Sequence, residues 1–209
     1  MQTSPQDFPI FLQAALVGLL IAAPVGPIGL LTIRRTLEQG MAAGLATGLG
    51  AACADAVYGA LGAYGVNLVI QALVGARVPL ALIGGALLMW LAWQGWRAPV
   101  AEQAAALPGR AELLRCFGGT FALTLSNPAT ILSFIAVFAS LAGAARVDSQ
   151  ALLVAGVWLG SAAWWLLLTA LVSLLRERLD ARWRRRIQRG SSLLLAGFAL
   201  WQWGALLPR

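Results

Sequence analysis

Pro24-Val25-Gly26-Pro27-Ile28-Gly29 interrupts an apolar run that extends from Phe8 to Ile33 without a charge. Proline removes a helical hydrogen bond and its ring clashes with the preceding turn, so two prolines three residues apart break a helix. Gly26 and Gly29 leave the backbone bare and able to take unusual dihedrals. Polar backbone freed at membrane depth is tolerated only inside protein or beside a watery cavity. The break therefore calls for a purpose, and the rest of the chain bears on what it is.

Working outward, uncharged runs recur at Val78–Trp96, Cys116–Ala145, Ser149–Leu175 and Gly190–Pro208, and Gln39–Ala76 is interrupted only by Asp55. Each reaches the roughly 18–20 residues that cross a bilayer core of about 30 Å. Only 11% of the 209 residues are charged and 60% are hydrophobic, against about a quarter charged in an average soluble domain. The expected fold is an all-α integral membrane protein with six transmembrane helices, at about Phe8–Ile33, Met41–Asn67, Pro79–Trp96, Cys116–Leu141, Gln150–Leu175 and Ser191–Leu206. Arg34 and Arg35 are expected to stop the first of them. Ala98–Glu112, with Pro99, Pro108, Gly109 and mixed charges, is the clearest internal boundary. A single transporter domain over 1–209 is expected, with halves 1–97 and 116–209 and a cytoplasmic linker at 98–115. Three helices per half make the halves enter from opposite sides, and Pro27 and Pro128 fall at corresponding places. Interrupted helices at matched positions of inverted repeats point to a transporter binding site.

The net charge of +7 does not mark a nucleic-acid partner, because the arginines follow topology. Arg34, Arg35, Arg97, Arg110, Arg115, Arg176, Arg178, Arg182, Arg184, Arg185, Arg186 and Arg189 fall on one side, and only Arg77, Arg146 and Arg209 on the other. The positive-inside rule puts the first set in the cytoplasm and both termini outside, in a bacterial inner membrane. Trp90, Trp93 and Trp96 beside Arg97, with Trp201 and Trp203, read as interfacial anchors. The basic stretch Arg176–Arg189 suits anionic headgroups.

Asp55 is the one ionisable residue inside the six expected helices, and such residues are functional candidates by default. Gly44, Gly48, Ala51, Asp55, Tyr58 and Gly59 share a helical face. Asp55 thus points into a close-packed seam, as a proton carrier or as a partner for a substrate ammonium. Around the second break, Ser126-Asn127-Pro128-Ala129-Thr130, residues Thr120, Thr124, Asn127 and Thr130 lie along one side. Asn127 can donate and accept, which suits either end of a zwitterion. The competing reading is that these groups repair backbone bonds lost to Pro128. Pro24, Pro27 and Pro128 should leave the carbonyls of Leu20, Ala23 and Thr124 without their usual donors. The small-residue face of helix 2, and Gly156 and Gly160 in helix 5, allow close helix approach. Packing within one subunit and packing across a homodimer are both open at this point.

Pro24–Gly29, Gly48–Asp55 (Gly-Leu-Gly-Ala-Ala-Cys-Ala-Asp) and Asn127–Thr130, in this order and spacing, resemble the lysine exporter (LysE/RhtB) family of bacterial amino-acid translocators. The resemblance covers nearly the whole chain. It implies a cytoplasmic-membrane exporter of amino acids or their derivatives, driven by an ion gradient. It also implies that Pro24, Gly26, Pro27, Gly29, Asp55 and Pro128 line the path; Tyr58, Thr124, Asn127 and Thr130 join them from the reading of their helices.

The expected function is a secondary exporter of an amino acid or related zwitterion by proton antiport, with a small-molecule substrate and the lipid bilayer as partners and no cofactor. The alternative is a small-ion exporter for a metal cation, for which one carboxylate and no histidine make a poor site. Thiol electron transfer is disfavoured because Cys53 and Cys116 lie outside both proline motifs. An enzyme is not expected, because no nucleophile or acid–base constellation is present. No phosphate-cradling loop supports ATP drive.

Overall fold

The computed structural model describes residues 7–24, 26–64, 67–98, 108–127, 130–134, 136, 150–176 and 178–206, and every element among them is helical. In chain order these are α1 (Asp7–Ala22), α2 (Pro27–Gln39), α3 (Met41–Ala63), α4 (Asn67–Gly75), α5 (Arg77–Arg97), α6 (Arg110–Leu125), α7 (Gln150–Arg176) and α8 (Ala181–Gly204). A further helical stretch covers 130–134.

The first apolar run breaks where the prolines stand. α1 and α2 meet at 79°, as one broken span or a re-entrant turn. Pro27 opens α2 at its first turn, where a missing N–H removes no helical bond and the fixed φ suits the helix. Gly26 caps that end with a φ of −99°, which any residue can adopt, so its value there is not conformational freedom. By length and composition α3, α5 and α7 can each cross a membrane, and the α1–α2 pair is a fourth where it counts as one span. Six uniform spans are not seen among the described residues, because α6 ends at the second break and α8 begins with Arg182, Arg184, Arg185, Arg186 and Arg189. The expected second helix likewise divides: α3 stops at Ala63 and α4 begins at Asn67.

Arg34 and Arg35 do not stop the first span. Both lie within α2, which runs on to Gln39, because arginine is a good helix former. The stop is Gly40, whose φ of +94° lies in a region that disfavours side chains. Nor is Asp55 alone as an ionisable residue inside a helix of the bundle, since Arg34 is 4% exposed and Glu38 only partly exposed. α6 begins at Arg110, so the end of the expected linker is already helix.

α7 packs along both α1 and α3; α3 also carries α2 and α6; α5 lies against α8. Glycine makes these approaches close. A Cβ on Gly156 would stand 2.7 Å from the Phe11 carbonyl oxygen, and one on Gly160 would stand 2.7 Å from the Ala15 carbonyl carbon. A Cβ on Gly48 would meet the Trp165 ring at 2.7 Å. Both glycine faces are therefore occupied within one subunit. The outside is greasy: Leu16, Leu20, Ile83, Leu167, Leu174, Leu194 and Leu200 are exposed. The inside is rich in small polar groups, and Thr32, Thr36, Thr47, Thr120, Thr124 and Thr169 each donate to a carbonyl one turn back, at 2.7–2.9 Å. That satisfies the hydroxyls without water, as a membrane interior requires.

Replacing Gly160 with leucine should push α1 off α7 and lower stability by about 1–3 kcal/mol or more. Gly197→Ala, whose new methyl meets nothing within 4 Å, should leave it unchanged. Thermal unfolding in detergent would show this, and equal midpoints for the two variants would refute the packing.

Candidate functional site

The two broken regions meet around one cavity of about 290 Å³. Pro24, Gly26, Pro27 and Gly29 line it from the α1–α2 break, Asp55 and Ala51 from α3, and Thr124, Asn127, Thr130 and Ser133 from the second break. Trp165 closes it from α7, with Phe198, Trp201 and Gln202 from α8. A Cβ on Gly26 would meet no atom within 4 Å, so this glycine leaves open space in the cavity wall. Of the residues expected at a site, Pro128 lies outside the described residues, and Tyr58 stands just beyond the wall.

Tyr58 acts on the backbone instead. Its hydroxyl donates to the Leu125 carbonyl at 2.6 Å, satisfying one of the last carbonyls of α6. Its ring lies 5.6 Å from that of Phe134, centroid to centroid. The Thr124 carbonyl, expected to lack a donor, accepts from the Asn127 backbone N–H at 3.1 Å in a tightened final turn. The Asn127 carbonyl in turn accepts from the Ile131 N–H at 3.2 Å and starts the next helical stretch. Thr120 faces away from the cavity, where its hydroxyl accepts from Arg35 at 3.1 Å. The Thr124 carbonyl is thus repaired by a backbone N–H and not by the hydroxyls or the amide, and Thr124, Asn127 and Thr130 line the cavity.

Asp55 is 4% exposed. Its Oδ2 accepts from the Ser161 hydroxyl at 2.7 Å, and Ser161 Oγ accepts from Trp165 Nε1 at 3.1 Å. A serine hydroxyl carries one proton, so this chain has a fixed direction, from indole to hydroxyl to carboxylate. Ser161 and Trp165 were not among the residues singled out in the sequence. The available signal was Gly160, the close-packing residue before Ser161, and nothing local distinguished Trp165 from an interfacial tryptophan.

The electrostatics follow from helix ends. α2 presents its N-terminus to the cavity, with N–H groups that lack intrahelical partners and a partial positive charge. α6 presents its C-terminal Thr124, at the negative end of a helix dipole, and Asp55 adds a carboxyl group. One small space is thus bordered by a donor-rich positive pole and an acceptor-rich negative pole.

Residues 19–201 match the family described as "LysE type translocator". The chain is 34% identical to "Chemotactic transduction protein ChpE" of Pseudomonas aeruginosa, over 91% of this chain and 95% of that one. It is 32% identical to "Uncharacterized membrane protein YahN" of Escherichia coli, over 80% and 77% of the two chains. It is 26% identical to "Putative amino acid efflux protein YcgF" of Bacillus subtilis, over 90% and 93%. No solved structure matches. The chain belongs to the LysE type translocators: it is a multi-pass membrane transporter and not an enzyme.

Tyr58→Phe removes the donor to the Leu125 carbonyl and leaves that oxygen unsatisfied in a dry interior. The expected loss is about 1–3 kcal/mol of unfolding free energy. An unfolding curve in detergent that coincides with wild type would rule out the capping role.

Proposed function

We propose that this translocator exports an amino acid, or a metabolite with the same charge pattern, by secondary transport coupled to protons. One observation supports this above the others: the α2 N-terminus and the Asp55 carboxyl group border the same cavity of about 290 Å³. A substrate carboxylate suits the free N–H groups of α2, as anions suit helix N-termini generally. A substrate ammonium suits Asp55 and the carbonyl-rich end of α6. The volume sits at the small end of ligand pockets, which favours a single small metabolite over a peptide. The cavity wall offers one carboxylate, too few hard oxygen ligands for a dedicated divalent-cation site, so the metal reading finds no support in its lining. The relative named for amino acid efflux fits the same class of substrate.

In this reading Asp55 binds the ammonium or a proton, but not both at once, and that exclusion is the coupling. The substrate enters from the cytoplasm while Asp55 is charged. A proton arriving from outside neutralises the carboxylate, the ammonium loses its partner and leaves, and the protonated carrier returns and releases its proton to the cytoplasm. Ser161 and Trp165 hold the carboxylate in place through both halves of the cycle. The movement is rocking of two inverted three-helix halves, 1–97 and 116–209, about the two breaks. Both termini lie on the outer face of a bacterial inner membrane in this reading, which the arginine distribution supports.

Cells lacking the protein should accumulate an amino acid internally when fed dipeptides, and wild-type protein should relieve the accumulation. Asp55→Asn should reduce proton-driven export in proteoliposomes to background while leaving a monodisperse, folded protein. Full antiport by that variant would refute the coupling role; accumulation of no amino acid would refute the substrate class.

A further inference from the structure

Ser161 differs from the buried threonines of the bundle. Thr32, Thr36, Thr47, Thr120, Thr124 and Thr169 each donate their proton to a carbonyl of their own helix. Ser161 is fully buried and does not. The one hydrogen bond that it donates among the described residues crosses from α7 to α3, to Asp55 Oδ2 at 2.7 Å. Its oxygen is committed as well. The Trp165 indole N–H can only donate, and it donates to Ser161 Oγ at 3.1 Å. The hydroxyl proton thus has one acceptor, the Asp55 carboxyl group, whether or not Asp55 itself carries a proton.

The two oxygens of Asp55 are therefore unlike. Oδ2 faces a donor that has nowhere else to turn, so it stays an acceptor. Oδ1 makes no hydrogen bond among the described residues and is not sealed from the surface, and its side chain lines the cavity. No neighbouring charge among the described residues competes for it. Tyr58, one turn on along α3, donates its hydroxyl proton to the Leu125 carbonyl. From α2, Arg35 reaches α3 at Thr47, about two turns from Asp55. Thr124 of α6, Trp165 of α7 and the α8 residues at the cavity carry no ionisable group.

We infer that Oδ1 is the single exchange atom of Asp55, and that Trp165, acting through Ser161, is the positioning residue that makes it so. An arriving proton binds Oδ1, the bond from carbon to Oδ2 takes the carbonyl character, and Ser161 goes on donating to Oδ2. No other atom gains or loses a proton. A carboxyl group open at both oxygens could carry a proton on one while an ammonium bonded to the other. With Oδ2 held by Ser161, proton and ammonium need the same atom, and binding one excludes the other. The inference rests on the export reading for its ammonium, and on hydrogen-bond geometry alone for its proton.

Infrared difference spectra of the full-length protein in nanodiscs, between acid and alkaline buffer, test the proton without any substrate. The band lost in Asp55→Asn is the carbonyl of protonated Asp55. A carbonyl that accepts a hydrogen bond absorbs at lower frequency than a free one, so Ser161→Ala should move that band up. Trp165→Phe keeps Ser161 but frees its oxygen to accept from a proton on Oδ2, and should add a second component at the higher frequency. A wild-type band already at the free-carbonyl frequency, and unmoved in both variants, would overturn this inference and leave the export reading intact. The ammonium is tested in proteoliposomes with each standard L-amino acid, labelled and supplied alone. Ser161→Ala should lower accumulation driven by a pH gradient, relative to downhill flux, about tenfold, the loss of one hydrogen bond to a charged group. An unchanged ratio would overturn the exclusion at Oδ1. Wild-type protein that shows the infrared shifts but transports no amino acid would overturn the export reading and uphold the proton at Oδ1. A spectrum from which Asp55→Asn removes no band would overturn the inference and the coupling role together.

Discussion

An amide or carbonyl left without a partner in hydrocarbon costs several kcal/mol, and this membrane protein interrupts an apolar helical run twice. Everything near the breaks answers that constraint. Pro27 carries no N–H to orphan, and Gly26 accepts the first bond of α2, from the Leu30 N–H at 3.0 Å. At the second break the Asn127 N–H turns back to the Thr124 carbonyl, and Tyr58 reaches from another helix to the Leu125 carbonyl. The N-terminal N–H groups of α2, which lack intrahelical partners, face a cavity. Repair of one break and exposure of the other leave a polarised space in an apolar molecule.

Close packing supports the same arrangement. Glycine at 156 and 160 brings α1 within contact of the α7 backbone, and glycine at 48 seats Trp165. Trp165 and Ser161 then fix Asp55 through two hydrogen bonds in series. The interior holds its many hydroxyls by bonds to their own helices, so those groups contribute polarity without demanding water. Two of the buried charged groups have their partners in place: Arg35 among Thr47, Thr120 and a carbonyl, Asp55 under Ser161.

Much of the site could be read from residue order, because prolines, glycines and a carboxylate within apolar runs are conspicuous against their surroundings. Pro24, Gly26, Pro27, Gly29, Asp55, Thr124, Asn127 and Thr130 all line one cavity. The errors have physical sources. Arg34 and Arg35 looked like a membrane stop because charge is usually excluded from hydrocarbon, but a guanidinium supplied with carbonyls and hydroxyls stays inside a bundle. Helix ends set by Gly40 depend on one residue's φ, which apolar periodicity does not encode. Ser161 and Trp165 were missed because their link to Asp55 spans more than a hundred residues, and only tertiary packing creates it. Gly26 was assigned conformational freedom, whereas its contribution is the missing side chain.

The central claim is that the space between the two breaks is the translocation path. Its most direct test is the reactivity of Thr130→Cys in a Cys53→Ser/Cys116→Ser background. A small water-soluble thiol reagent should modify that cysteine in membranes, while a cysteine placed at the outward-facing Leu167 stays unmodified. The exported amino acid should slow the modification in proportion to its occupancy. A cysteine at 130 that resists the reagent, or that reacts at one rate with and without the amino acid, would contradict the account.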